Sequence, residues 1–319
     1  MKKIVVLEGE TLGDLDFDQL KSFGEVVYYD TTMPEEVAKR IEDAHIVLVN
    51  KVVLNEDNLK EVKNLELICE TATGFNNIDV VYARNNNIAV TNVAGYSTNT
   101  VAQHTFATVL ALYDKLFYYD EFVKSGEYAK SGIFTDVSKP FYELEGKTWG
   151  IIGLGSIGKR VASIAEAFGV NVIYYSTSGK NSNSNYKRVE FDELLSESDI
   201  ISIHAPLNSN TEGLLNYDAI KRMKNSAILV NMGRGPIVVE KDIAKAIDEE
   251  LIAGASLDVF EVEPIKSDNP LVNVRNKDRL VLTPHIAWAS VEARNRLFKE
   301  VILNIKAFYN GEVRGRGEL

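Results

Sequence analysis

The chain has 319 residues, 45% of them hydrophobic and 25% charged, a globular composition too long for one ordinary core, so two domains are expected. Its net charge of −11 disfavours nucleic acid and anionic membrane, both of which are held chiefly through Lys and Arg. Cys69 is the only cysteine and none of the four histidines has a zinc-type spacing, which argues against disulfides and against a metal site and makes the cytoplasm the expected compartment.

The N-terminal apolar run, Ile4 to Leu7, is too short for a signal peptide or a membrane span and reads as a first strand. Further strand-like runs follow at Val26 to Tyr29, His45 to Val49, Leu65 to Cys69 and Ile88 to Thr91. They alternate with helix-like stretches such as Pro34 to Asp43, the pattern of a parallel sheet wrapped by helices. Cys69, inside one of these runs, reads as a buried structural thiol. One helical stretch is expected from about Asn99 to Val123, serving as a connector.

After Gly146 the alternation restarts, with strands expected at Thr148 to Ile152, Val170 to Tyr175, Ile200 to His204, Ala227 to Asn231, Gly254 to Asp258 and Leu280 to Thr283. Six such strands suit a doubly wound nucleotide-binding sheet. The polar segment from Ser176 to Asn185 reads as an exposed loop. The last stretch, Val291 to Tyr309, has Leu297, Val301, Ile305 and Phe308 at helical spacing behind a Ser290 cap and is expected to fold back onto the first domain.

Gly153-Leu154-Gly155-Ser156-Ile157-Gly158 directly follows a strand and opens an amphipathic helix, the setting in which such glycines cradle a pyrophosphate. The backbone N–H groups of Ser156 and Ile157 would face it at the helix N-terminus. The fingerprint also expects an acidic residue about 20 positions on, for the ribose hydroxyls. None occurs between Glu166 and Glu190. Hydroxyls and a lysine follow the strand instead, at Ser176, Thr177, Ser178 and Lys180, and they can accept a 2′-phosphate that a carboxylate would repel. Two readings stand open: NADP(H) is taken, or Ser176 meets the ribose of NAD and Lys180 is a solvated charge.

Three polar residues, Arg234, Glu263 and His285, fall just beyond strand ends, where open α/β folds bind ligands. A guanidinium can clamp a carboxylate with two parallel bonds, and an imidazole paired with a carboxylate can pass a proton to a developing alkoxide. Taken singly, each also reads as a loop salt bridge, a solvated charge or a satisfied histidine.

Together, Asn231-Met232-Gly233-Arg234-Gly235, Asp258-Val259-Phe260-Glu261-Val262-Glu263-Pro264 and Thr283-Pro284-His285 behind the glycine motif resemble the D-isomer-specific 2-hydroxyacid dehydrogenases, and the resemblance spans essentially the whole chain. It implies that Arg234 binds the substrate carboxylate and carbonyl, His285 is the acid/base, Glu263 pairs with it and Asp258 holds the nicotinamide carboxamide. It also implies that backbone N–H groups at Thr73 and Gly74 help bind the substrate carboxylate; Gly74 otherwise reads as a turn residue. His204, Ala205, Pro206, Thr211, Met232 and Gly233 are placed with the cofactor, NAD(H) or NADP(H). The implied architecture is two doubly wound α/β domains: a flavodoxin-like substrate domain of residues 1–99 plus 290–319, and a Rossmann domain of residues 100–289. A homodimer is implied, with the region around Thr100 to Pro140 contributing.

Asn50-Lys51-Val52 and Ala287-Trp288-Ala289-Ser290 look most like the glycerate dehydrogenase, or hydroxypyruvate reductase, branch. Lys51 would meet a polar substrate end and Trp288 would wall a small pocket; equally, Lys51 reads as a surface charge and Trp288 as core. His104 reads as an interface or structural histidine. Two other readings on this scaffold are a dinucleotide-sensing corepressor-like protein and a formate or phosphonate dehydrogenase. Glu263 speaks against the formate reading, since those relatives carry glutamine there.

Overall fold

A computed structural model describes residues 1–180, 182–183 and 185–317; Asn181 and Ser184 of the expected polar loop, and residues 318–319, lie outside the described residues. The chain divides into two compact units, Met1–Ser97 with Ala289–Leu319 and Thr98–Trp288.

In the first unit, β1 (Lys3–Val6), β2 (Glu25–Tyr28), β3 (Ile46–Val49), β4 (Leu67–Glu70) and β5 (Ala89–Thr91) form a parallel sheet of order β2-β1-β3-β4-β5. This is the flavodoxin-like order. Every residue of β3 and β4 is buried, as continuous apolar runs must be when helices cover both faces of a parallel sheet. The helix Val291–Tyr309, capped by Ser290 Oγ accepting from Ala293 N at 3.2 Å, belongs to this unit. Beyond it Gly317 N donates to Val90 O at 2.8 Å, and Arg316 bridges Thr91.

The second unit holds β6 (Thr148–Ile152), β7 (Asn171–Tyr175), β8 (Lys187–Arg188), β9 (Ile200–Ile203), β10 (Ile228–Asn231), β11 (Gly254–Leu257) and β12 (Leu280–Leu282), all parallel, in the order β12-β11-β10-β9-β6-β7-β8. Read from β8, this is the doubly wound dinucleotide-binding order with one strand added at the far edge, and its direction reverses between β6 and β9. The sheet has seven strands, one more than expected from sequence. The extra one, β8, is two exposed residues with no apolar alternation to announce it.

The helical stretch expected from Asn99 to Val123 is two helices, Thr98–Tyr113 and Leu116–Lys124. Lys115 breaks them by adopting φ 56°, a left-handed conformation that ends a helix. No glycine or proline marks that position. Among the described residues no helix is long and apolar enough to cross a membrane.

Candidate active site

The glycine motif joins β6 to the helix Ser156–Ala167, and each glycine has its own reason. Gly153 takes φ 92°, and a side chain there would meet Ala205 backbone at 2.8 Å. At Gly158 a Cβ would lie 2.4 Å from Gly153 O, so the helix approaches its own loop too closely for any other residue. A Cβ at Gly155 would meet nothing within 4 Å. Protein packing therefore explains two of the three, while the third opens a space in front of a helix N-terminus.

Beside this loop, at the end of β9, His204 Nε2 lies 3.0 Å from Ser202 Oγ, which also accepts Trp149 Nε1–H at 2.8 Å. His204 Nδ1 is buried without a hydrogen-bond partner. Burial pushes the imidazole down to about 3, so the ring is neutral. Ala205 is buried against Gly153, Pro206 is exposed, and a Cβ at Gly233 would lie 2.9 Å from Ala205 O.

Other residues expected to meet the cofactor are placed as follows. Thr211 is fully buried, and its hydroxyl donates to Pro206 O at 2.8 Å and accepts Asn208 N–H at 2.8 Å, which shapes the loop. Met232 packs in the apolar core with Val230 and Ile151. Ser176 is buried at the end of β7, Thr177 is half-buried and Lys180 is exposed.

Arg234, Glu263 and His285 follow β10, β11 and β12, three neighbouring strands of one sheet. Asn231 clips the first loop closed, its Oδ1 accepting Gly233 N–H at 3.0 Å and its Nδ2 donating to Arg234 O at 2.9 Å. The Arg234 guanidinium donates Nη1–H to Gly233 O at 2.8 Å. Gly235 then lies against the next loop so closely that a Cβ would be 1.9 Å from the Phe260 carbonyl carbon. That glycine sets Arg234 beside the segment carrying Glu263.

Glu263 Oε1 accepts Phe260 N–H at 3.1 Å, and Oε2 lies 2.7 Å from His285 Nδ1. His285 itself has φ 55°, a left-handed conformation that costs about 1 kcal/mol for a residue with a Cβ. Asp258, 1% exposed, holds it there. Its carboxylate accepts Ile286 N–H and Ala287 N–H at 2.9 and 2.8 Å and the Thr283 hydroxyl at 2.6 Å. Since the single hydroxyl proton of Thr283 goes to Asp258, His104 Nε2, 3.1 Å away, is the donor to Thr283 Oγ1. The sequence reading placed Asp258 with the cofactor; the geometry adds the tethering of the His285 loop. Trp288 is half-buried and packs against the apolar core of this unit.

In the first unit, a carboxylate that the sequence reading missed organises the loop after β3. Glu8 Oε2 accepts three successive backbone N–H groups, from Asn50, Lys51 and Val52, at 2.9, 2.8 and 2.9 Å. Lys51 is exposed on that loop. Asn77 Nδ2 donates to Val52 O at 3.1 Å and to Glu70 Oε2 at 3.0 Å, joining the loop to the segment that carries Thr73 and Gly74. Thr73 Oγ1 donates to Val93 O at 2.9 Å. Glu70 is fully buried, and burial, with Glu8 nearby, pushes its carboxyl up to about 9. No local periodicity signals Glu8, whose partners lie more than forty positions away.

A sequence model described as D-isomer specific 2-hydroxyacid dehydrogenase, NAD binding domain, matches residues 106–287. A hydroxypyruvate reductase of Blautia hydrogenotrophica is 39% identical over 317 residues, 97% of each chain. The chain belongs to the D-isomer specific 2-hydroxyacid dehydrogenase family. A glycerate dehydrogenase of Methylorubrum extorquens is 35% identical over 98% of this chain and 97% of its own. Among solved structures, an NADPH-dependent glyoxylate/hydroxypyruvate reductase of Sinorhizobium meliloti superposes with a TM-score of 0.85 at 26% identity, covering 100% of this chain and 98% of its own.

Members of this family are NAD(P)-dependent oxidoreductases that act on CH–OH groups, and the residues of this dehydrogenase fit a dinucleotide. Open space at Gly155 adjoins helix N–H groups that have no intrahelical acceptor, which suits a pyrophosphate. The partnerless His204 Nδ1 is the kind of buried polar atom that a bound group satisfies.

Proposed function

We propose that this dehydrogenase reduces small 2-keto acids, hydroxypyruvate and glyoxylate foremost, to the D-2-hydroxy acids. The observation that carries the reading is the 2.7 Å pairing of His285 Nδ1 with Glu263 Oε2, with β11, which Glu263 follows, lying between β12 and the β10 strand that leads to Arg234. With Nδ1 engaged by the carboxylate, Nε2 is left to hold or move a proton at the substrate C2 oxygen. Glu263 fixes the orientation of the ring, and a proton donor so placed contributes roughly 10²- to 10⁴-fold. Arg234 binds the substrate carboxylate and polarises the carbonyl. A dinucleotide held at residues 153–158 would supply the hydride for reduction, or accept it for oxidation. In the oxidative direction His285 takes the hydroxyl proton.

Gly153, Gly155, Ser156, Ile157 and Gly158 are assigned to the pyrophosphate and His204 to the adjoining wall. Lys51, Thr73 and Gly74 are assigned to the substrate, with Trp288 limiting its size. Oxidation of NADH and NADPH followed in parallel with hydroxypyruvate, glyoxylate, pyruvate and phenylpyruvate tests this. Fast turnover of the first two is expected; flat traces with every pair would overturn the reading in favour of a dinucleotide-sensing role.

We further propose a cytoplasmic homodimer that binds neither nucleic acid nor membrane. The acidic charge supports the second part. The first is supported by exposed apolar side chains in the segment 116–142, among them Phe117, Ile133, Val137 and Phe141, with Phe134 91% exposed. Such a cluster is characteristic of an association surface. Sedimentation at micromolar concentration should give twice the chain mass, and Phe134→Asp with Val137→Asp should lower it; a wild-type monomer would refute the dimer.

A further inference from the structure

A dinucleotide site that prefers NAD places a carboxylate after its second strand, where it binds the ribose hydroxyls and repels a 2′-phosphate. Here the segment between Glu166 and Glu190 contains no acidic residue but three cations, Lys180, Lys187 and Arg188, in a chain whose net charge is −11. The three are not equivalent. Lys187 is committed away from the loop, with Nζ 2.6 Å from Glu193 Oε1. Arg188 is turned onto the loop and donates Nη1–H to the Gly179 carbonyl at 2.9 Å.

The short strand β8 brings Arg188 there. Its backbone pairs in parallel with β7, Arg188 opposite Tyr174, and Val189 N donates to Tyr174 O at 2.9 Å. The loop itself is a turn closed by Gly179 N–H on Ser176 O at 3.1 Å, with Gly179 at φ 69°. Ser178 Oγ accepts Lys180 N–H at 3.3 Å. A guanidinium has five N–H donors in a planar fork and the Gly179 carbonyl takes one, so the remainder can meet a phosphate with charge-assisted bonds. Toward a neutral ribose hydroxyl the same group has no comparable advantage.

We propose that Arg188, acting with Lys180 and the hydroxyl-bearing turn Ser176–Ser178, binds an adenosine 2′-phosphate and sets a preference for NADP(H) over NAD(H). The inference rests on the assignment of residues 153–158 to the dinucleotide. It goes beyond the sequence fingerprint, because the determining residue sits on the adjacent edge strand instead of at the end of β7.

Direct binding, read from nicotinamide fluorescence on titration with NADPH and with NADH, tests it without reference to turnover. Wild type should bind NADPH at least ~10-fold more tightly than NADH, the lower end of what one charge-assisted hydrogen bond contributes. Arg188→Ala should remove most of that difference while leaving the NADH Kd in place, which also reports a folded site. The NADPH preference should shrink at high salt, because the contact is exposed. Equal wild-type affinities, or an Arg188→Ala loss shared by both dinucleotides, overturn the proposal while leaving the dinucleotide site standing. Failure of wild type to bind either one removes both.

Discussion

Asp258 holds His285 from two directions: its carbonyl accepts the histidine N–H at 2.8 Å, and its carboxylate accepts the N–H groups of Ile286 and Ala287, the two residues that follow. The left-handed backbone of His285 persists because these bonds over-determine it. Asp258→Asn replaces one acceptor oxygen by a donor among three donors, which costs about 1–3 kcal/mol and loosens the imidazole. kcat should fall by roughly tenfold or more with a lowered Tm; a variant with wild-type kcat and Tm would show that the tether is not needed.

Glu263 Oε2, 2.7 Å from His285 Nδ1, fixes the orientation of the ring it touches. Glu263→Gln keeps the size of the side chain but puts a neutral amide at that contact, so the ring is held less firmly. kcat for keto-acid reduction should fall by roughly tenfold or more, with KM little changed. A glutamine variant with wild-type kcat would break the pairing.

At Gly235 the argument is steric. A Cβ would lie 1.9 Å from the Phe260 carbonyl carbon, and backbone cannot yield as a side chain can. Gly235→Ala should destabilise by about 1–3 kcal/mol and lower kcat/KM by displacing Arg234 from the Glu263 segment. Denaturant titration and steady-state rates on one preparation check both; a variant equal to wild type in the two would mean that the loops part without consequence.

Glu70 makes stability depend on pH. Burial raises its folded carboxyl to about 9 from an ordinary 4.5, so between those values the folded chain holds a proton that the unfolded chain has released. Stability contributed by this group is present below the lower value and is lost as pH rises toward the upper one. Glu70→Gln keeps an acceptor for Asn77 and cannot ionise. Melting temperatures taken from pH 6 to pH 9 should fall less steeply for this variant than for wild type; parallel curves would show that Glu70 is already ionised in the folded chain.

The strands were legible where apolar runs are continuous: β3, β4, β9 and β10 are buried at every position and read as such from the sequence alone. The positions of Arg234, Glu263 and His285 after strand ends were legible because each lies in a recognisable motif behind an apolar run. What escaped notice has no local signal. β8 exists through its pairing with β7, and the helix break at Lys115 comes from a lysine in a conformation that sequence does not advertise. Glu8 acts through a loop more than forty residues on.

The helix Val291–Tyr309 belongs to the unit whose sheet begins at Lys3, and residues after it bond to that sheet's edge strand β5. In synthesis order, strands β1 to β5 come before the second unit, and the helix Val291–Tyr309 that belongs with them comes after it. The uninterrupted second unit, Thr98–Trp288, has all its parts before then. The usual vectorial order, N-terminal domain first, is therefore not open to these two units: the one that holds β1 has all its segments only after the other.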